Sequence, residues 1–264
     1  MIQSSIYNGI ITTPNLWKHA LVEDIDQLEL SADSIQNELI STKIRLGMFA
    51  EQCVFQALES DSKFQLLAKN IQIIENNITL GELDCILESE SKIIHLEIAY
   101  KFYLFDPNMS KNELSCWIGP NKKDSLLEKI EKLKKKQLPL LFHSKTAESL
   151  SKLGVSADSI QQKVCFKAQL FTPFSSNKVD YKTINTDCIY GVYYTKHELM
   201  EINQRKFYIP NKLEWIVTPH QSVKWINYDT FIEQIDAYLK NQKSPLFWSK
   251  DKKGNLSKGF AVWW

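Results

Sequence analysis

Between Asn70 and Phe105 the apolar positions fall into three runs separated by short polar segments. Asn70 to Glu75, Ile78 to Glu88 and Lys92 to Phe105 read there as strands, rich in Ile, Leu and aromatic residues. The short polar segment Ser89, Glu90 and Ser91 joins the last two, which predicts a hairpin. Ahead of it, a helix is expected from Ser41 or Thr42 to about Glu59, with Leu46, Phe49, Ala50, Cys53, Val54 and Ala57 as apolar positions. Glu51 falls on one helical stripe with Met48, Phe55 and Leu58, so it is either an edge acid reaching water or a buried functional one. Leu16 to Leu30 read as short helices, with Asn15 as an N-cap after Pro14.

Beyond the hairpin, Ser115 to Ile118 reads as a strand. Asn121 to Gln137 reads as an amphipathic helix with Leu126, Leu127, Ile130 and Leu133 inward, ended by Pro139. Lys145 to Leu153 and Ala157 to Cys165 look helical. Strands are expected at Cys165 to Phe171, Asp187 to Thr195, Phe207 to Ile209, Trp215 to Thr218, Val223 to Ile226 and Lys258 to Trp264, with a helix at Tyr228 to Lys240. The fold class is mixed α/β. No flexible linker marks a boundary. The chain divides by character into a helical segment over 1–40, an α/β core over 41–150 and a β-rich, aromatic, mixed α/β region over 151–264 packed on the core.

Bulk properties narrow the function classes. The 264 residues, 44% hydrophobic, suffice for a substantial core. With 32 basic and 31 acidic residues, any nucleic-acid footprint must be local. The five cysteines are scattered and form no CxxC pair, which argues against a disulfide framework and for a reducing cytoplasm. Cysteines and histidines show no zinc spacing. Met1 to Asn15 does not read as a leader, and no apolar run approaches the ~20 residues of a membrane span.

Candidate chemistry concentrates on the hairpin. Side chains two apart on a strand share a face, which groups Glu82 with Asp84, and Glu97 with Ala99 and Lys101. With the turn centred on Glu90 and Ser91, Asp84 lies opposite Glu97 and Glu82 opposite Ala99. Converging carboxylates repel unless a cation joins them, and Mg²⁺ or Mn²⁺ suits an all-oxygen set. Glu51, Asp84, Glu97 and Glu82 are the candidate metal ligands, and Asp84, Glu97 and Lys101 the candidate catalytic residues. In the plainer reading Glu97 pairs with Lys101 and the other two acids face solvent. Charges inside the apolar run Ile93, Ile94, Leu96, Ile98, Phe102 and Leu104 favour the functional reading, because they are costly there unless paired or used.

Gly81-Glu82-Leu83-Asp84, the run from His95 to Leu104 and Trp117-Ile118-Gly119-Pro120-Asn121 resemble an uncharacterised bacterial family, domain of unknown function 1853. Arg45-Leu46-Gly47 with Phe49 and Glu51, then Asp124, Leu126, Lys129 and Gln137-Leu138-Pro139-Leu140, extend the resemblance, with Gly259-Phe260 near the end. That family is similar to the PD-(D/E)XK nucleases, whose restriction-endonuclease-like core is a helix, three antiparallel strands, a helix and a strand. The resemblance implies that Glu51 is the helix acid, Asp84 the metal-binding aspartate and Lys101 the catalytic lysine. This chain departs from the pattern at Ala99, where the superfamily has an acid; Glu97 or Glu82 would fill the role.

The implied function is a Mg²⁺-dependent nuclease acting on DNA or RNA. The alternative is a nuclease-like protein that binds nucleic acid or a protein partner without cutting. The lysine-rich segment from Asn121, with Lys122, Lys123 and Lys129, is the expected nucleic-acid contact, against a plain solvated helix face. The C-terminal aromatics read as core, as a homodimer or partner interface, or as a base-stacking surface.

Overall fold

The computed structural model describes residues 2–17, 26–31, 40–175 and 180–264. Its elements are α1 (Ile2–Thr12), β1 (Asp26–Gln27), α2 (Leu46–Ser60), β2 (Phe64–Glu75), β3 (Ile78–Ser89), β4 (Lys92–Phe105), α3 (Glu113–Cys116), β5 (Trp117–Ile118), α4 (Leu126–Lys132), α5 (Ser144–Ser151), β6 (Ile160–Pro173), β7 (Ile189–Thr195), β8 (Lys206–Tyr208), α6 (Tyr228–Lys240), β9 (Leu246–Lys250) and β10 (Leu256–Val262). The chain forms two compact units that interleave in sequence. One comprises Met1–Tyr100 and Glu128–Lys167, the other Lys101–Leu127 and Ala168–Trp264.

In the first unit the strand order is β2-β3-β4-β6, with β1 parallel to β6. The β3–β4 hairpin forms as expected. Its turn residues Glu90 and Ser91 have φ of 49° and 61°, the left-handed pair that matches strand twist in a two-residue loop. Val54, Phe55 and Leu58 of α2 pack on Cys85, Leu87, Ile94 and Leu96. A second cluster joins Leu83 and Ile86 to Leu141, Leu150 and Ile160. β2 is longer than its pattern suggested and irregular: its pairing with β3 shifts between Leu66 and Ala68 and again between Ile73 and Ile74. Asn70, with φ of 53°, adds a left-handed residue between them without shifting the register.

Several expectations are corrected here. The α1 helix, buried through Ile6, Tyr7, Ile10 and Ile11, lies within the 1–40 segment expected to be helical, although no helix was placed at those residues. Of the short helices expected at Leu16 to Leu30, residues 18–25 lie outside the described residues, as do residues 32–39 of the helical 1–40 segment; Asp26–Gln27 is strand. Ala157 to Cys165 is not helical: one 3₁₀ turn, Ala157–Ser159, leads into β6. Val164, Cys165 and Phe166 are all buried, so this strand is covered on both faces and lacks the alternation that would identify it. Pro139 does not end a helix. The chain passes from α4 through a wide π turn, Leu133–Gln137, into a 3₁₀ turn, Leu138–Phe142, with the proline in its first turn, where no amide is needed.

In the second unit β5 is antiparallel to the end of β4. β6-β7-β10-β9-β8 follow in order, parallel from β6 to β10 and antiparallel from β10 to β8. Asn227 caps α6 through its side chain, which accepts from Thr230 N. Phe231 and Ile235 of that helix pack on Phe207, Phe247 and Tyr194. The C-terminal aromatics are largely core: Phe207, Trp248 and Phe260 are buried, and Phe207 stacks on Phe231 at 4.0 Å between centroids. Trp215 to Thr218 is not a strand but contains the end of a 3₁₀ turn, Leu213–Ile216, and of Val223 to Ile226 only Ile226 bridges to a strand, at Phe207. Ser115 belongs to α3, and β5 begins at Trp117. β9 went unread because Leu246–Lys250 is short and follows a proline.

Candidate functional site

The hairpin register is the assumed one. Ser89 pairs with Lys92 and Cys85 with Leu96, so one further step sets Asp84 against Glu97. The regular ladder stops at Cys85 and Leu96, and there Asp84 Oδ2 accepts the Ile98 N–H at 2.7 Å. A carboxylate thus takes an amide that a strand carbonyl would otherwise satisfy.

The acids expected to act together are brought within electrostatic reach of one another in the first unit. Burial, then Glu97 and Glu51, push Asp84 up to about 8, although the Ile98 amide and Lys129 pull the other way. Burial, then Glu82 and Glu97, push Glu51 up to about 7. Glu51 is half-buried, with Glu82 and Glu97 close enough to raise it.

Glu97 is the most enclosed of the set, at 1% exposure. Its Oε1 lies 3.1 Å from His95 Nε2, and its Oε2 accepts from Gln137 Nε2. Gln137 Oε1 in turn accepts from Lys129 Nζ at 2.7 Å. On the other side, Gln162 Nε2 donates to Leu138 O at 2.7 Å and to His95 Nδ1 at 3.1 Å. The two amide hydrogens of Gln162 fix the imidazole tautomer: Nδ1 accepts, so the proton on Nε2 points at Glu97. The network runs Lys129, Gln137, Glu97, His95, Gln162.

Sequence reasoning gave no role to His95, Gln137 or Gln162. His95 carries a usable signal, because it shares the face of Glu97 two residues away on one strand. Gln137 reaches Glu97 from the π turn and Gln162 reaches His95 from β6, and nothing local in the sequence announces either contact.

Lys101 belongs to the second unit and pairs there with Asp124, Nζ to Oδ2 at 2.7 Å. The plainer Glu97–Lys101 pairing gives way to these separate partners. The basic segment is also reorganised. The helix starts at Leu126, not Asn121, because Lys122 has φ of 54° and sits in a turn closed by Lys122 N to Gly119 O and Gly119 N to Asp124 O. Lys122 Nζ lies 3.2 Å from Asp106 and 4.0 Å from the Trp264 ring centroid. Asn121 Oδ1 accepts the Ser244 N–H at 2.8 Å. Asn121 and Lys122 thus hold the second unit together, Lys123 is exposed, and Lys129 serves the acidic network of the first.

The raised carboxyls set a pH dependence. Folded Asp84 and Glu51 keep their protons to higher pH than in the unfolded chain, where ordinary values near 4 apply. The folded state therefore binds more protons across that window, and stability falls as pH rises from about 4 towards about 8. Asp84→Asn keeps an acceptor for Ile98 and removes one charge. It is expected to stabilise the protein by about 1–3 kcal/mol near pH 8 and by little near pH 4. Urea unfolding midpoints of both proteins at the two pH values check this; equal shifts at both would show that Asp84 does not titrate as described.

The profile of a family described as a domain of unknown function, DUF1853, matches residues 6–258. No curated protein and no solved structure matches the chain.

Proposed function

We propose, for a chain that belongs to the DUF1853 family, a divalent-metal-dependent phosphodiester hydrolase acting on DNA or RNA, centred on Asp84. The observation that carries this reading is the gathering of Glu51, Asp84, Glu97 and Glu82 where the β3–β4 ladder stops, with Asp84 held at about 8. Half-buried carboxyls within electrostatic reach of one another would be stabilised by a cation between them. The order α2, β2, β3, β4, α4, β6 in the first unit supports a restriction-endonuclease-like core.

The donor chemistry fits a hard cation. All available donors are carboxylate oxygens, and both nitrogens of His95 are engaged. Among the described residues no three acidic, histidine or cysteine side chains already converge as metal ligands. Asp84 and Glu51 would hold the ion, with Glu97 or Glu82 completing the set. A bound Mg²⁺ or Mn²⁺ would lower the pKa of a water and neutralise charge on the phosphate. The protein's own part is orientation. His95 and Gln137 fix both oxygens of Glu97, and Lys129 offsets the negative charge around Asp84. Lys132, Lys134, Lys135 and Lys136 are exposed beside this network in sequence and supply a local phosphate-binding face.

Calorimetric titration with Mg²⁺ and Mn²⁺ tests the proposal. Binding is expected to release protons near pH 7, since raised carboxyls must ionise, and to vanish in Asp84→Asn. Absence of binding to the wild type, both alone and with a non-cleavable oligonucleotide, would sink it. A second reading, binding without cleavage, is favoured by Ala99 at the usual acid position and by the commitment of Lys101 to Asp124. It predicts oligonucleotide retention in EDTA and no cleavage with either metal.

A further inference from the structure

The second unit contains a cavity of about 480 Å³ that the acidic site does not use. Its volume lies within the roughly 300–1,000 Å³ range of small-molecule sites. Among the described residues, three lysines line it, Lys123, Lys212 and Lys243, and no acidic residue does. The acid that acts on Lys212 is Asp124, which is already paired with Lys101. Lys212 Nζ sits over the Trp215 ring, 3.2 Å from its centroid, and burial pushes the Lys212 pKa down to about 7, so an anion entering the cavity would draw a proton onto this amine.

The end of α6 also borders the cavity, and exposed helix C-terminal carbonyls would repel an anion. Here they are covered. Lys243 N donates to Tyr238 O, Gln242 N to Leu239 O and Asn241 Nδ2 to Ala237 O. With those acceptors satisfied, the lysines set the sign of the potential.

The walls add flat apolar surface and unused polar groups. Tyr238 is 42% exposed at the rim, and Trp263 is half-buried in the lining. The Trp263 indole N–H and the Ser244 hydroxyl are shielded within the wall and find no hydrogen-bond partner among the described residues. Lysines and aromatic faces together describe a ligand that is anionic and planar in part.

We propose that this cavity binds a nucleoside monophosphate, its base against Tyr238 and Trp263 and its phosphate towards Lys123, Lys212 and Lys243. The ligand is either the free nucleotide or the terminal unit of an oligonucleotide, which present the same chemistry. The proposal does not depend on the acidic site of the first unit.

Calorimetric titration of the full chain with adenosine 5′-monophosphate tests it. Adenosine and inorganic phosphate are each expected to bind at least about tenfold more weakly than the nucleotide, because each lacks half of the contacts. The double variant Lys123→Ala with Lys243→Ala alters two exposed side chains and is expected to weaken binding about tenfold, and Tyr238→Ala by a similar factor. Asp84→Asn is expected to bind as the wild type does, which separates this result from the fate of the metal site. Tighter binding of a 5′-phosphorylated trinucleotide than of the mononucleotide assigns the ligand to a strand terminus; the reverse order assigns it to the free nucleotide. No nucleotide binding at millimolar concentration, equal binding of inorganic phosphate or adenosine, or no loss in the lysine double variant would overturn the proposal.

Discussion

Replacing Glu97 with alanine is expected to destabilise the first unit by about 3 kcal/mol, even though it removes an acid from a cluster of acids. Two effects oppose each other. Losing the Glu97 charge relieves Asp84 and Glu51, both of which it raises. Against that, the substitution orphans the His95 Nε2–H and the Gln137 amide, in a place where Glu97 is 1% and His95 0% exposed. Each buried donor left without an acceptor costs about 1–3 kcal/mol, and the missing side chain adds a void. The orphaned donors win, because repulsion among partly hydrated carboxyls is screened and a stranded buried donor is not. Glu97→Gln keeps one oxygen and should lose about half as much. Urea unfolding at pH 7 checks both variants. Asp84→Asn and Glu97→Ala should shift the midpoint in opposite directions, although both delete one charge from the same cluster. A neutral Glu97→Ala would mean that the network does not clamp the fold, and the positioning role of His95 and Gln137 would fall with it.

Gly191→Ala is expected to cost a comparable amount, ~3 kcal/mol, in the second unit. A Cβ at Gly191 would sit 2.0 Å from the carbonyl oxygen of Lys258 and 3.3 Å from Phe171 Cε1. The atom in the way is backbone and cannot rotate aside. β7 lies between β6 and β10, paired on both edges, so it has no free side towards which to shift. Any opening of the β7–β10 pair also pulls Lys258, whose buried Nζ is held by Gln169 Oε1 at 2.9 Å and Trp215 O at 2.7 Å. Gly119→Ala is the informative control. Its Cβ would meet Asp124 Oδ1, also at 2.0 Å, but that is a side chain able to swing off Lys101, so the penalty should be smaller. Denaturant midpoints of the two variants compare them directly. A Gly191→Ala protein as stable as the wild type would show that β7 and β10 can separate without loss.

The hairpin was legible in the sequence because it rests on local rules. Two strongly apolar runs, Ile78 to Glu88 and Lys92 to Phe105, joined by a two-residue turn, leave one register that buries Cys85, Leu87, Ile94 and Leu96 together. That register alone set Asp84 against Glu97. α6 was equally legible, since Phe231 and Ile235 repeat at helical spacing behind an Asn cap. β6 was not, because a strand buried on both faces shows an unbroken apolar run such as Val164 to Phe166, which a buried helix also shows. The start of α4 was misplaced because a lysine gives no warning of left-handed backbone; Lys122 adopts it in a turn closed by Gly119 and Asp124. The side chains that hold Glu97 were not legible. Glu97, Gln137 and Gln162 lie 40 and 25 residues apart along the chain, and only folding joins them.

The irregularities of β2 have a consequence for how the protein behaves in concentrated solution. β2 pairs with β3 on one side and with no other strand among the described residues, so its second row of amides and carbonyls is a template for a neighbouring chain. Ile74, Ile78 and Leu80 near the β2–β3 turn are exposed and would make such an association sticky. The two register shifts and the left-handed Asn70 interrupt that row, so that a straight incoming strand finds only short stretches in phase. The price of an uneven edge is a weaker local ladder, and what the chain gains is resistance to fibrous self-assembly.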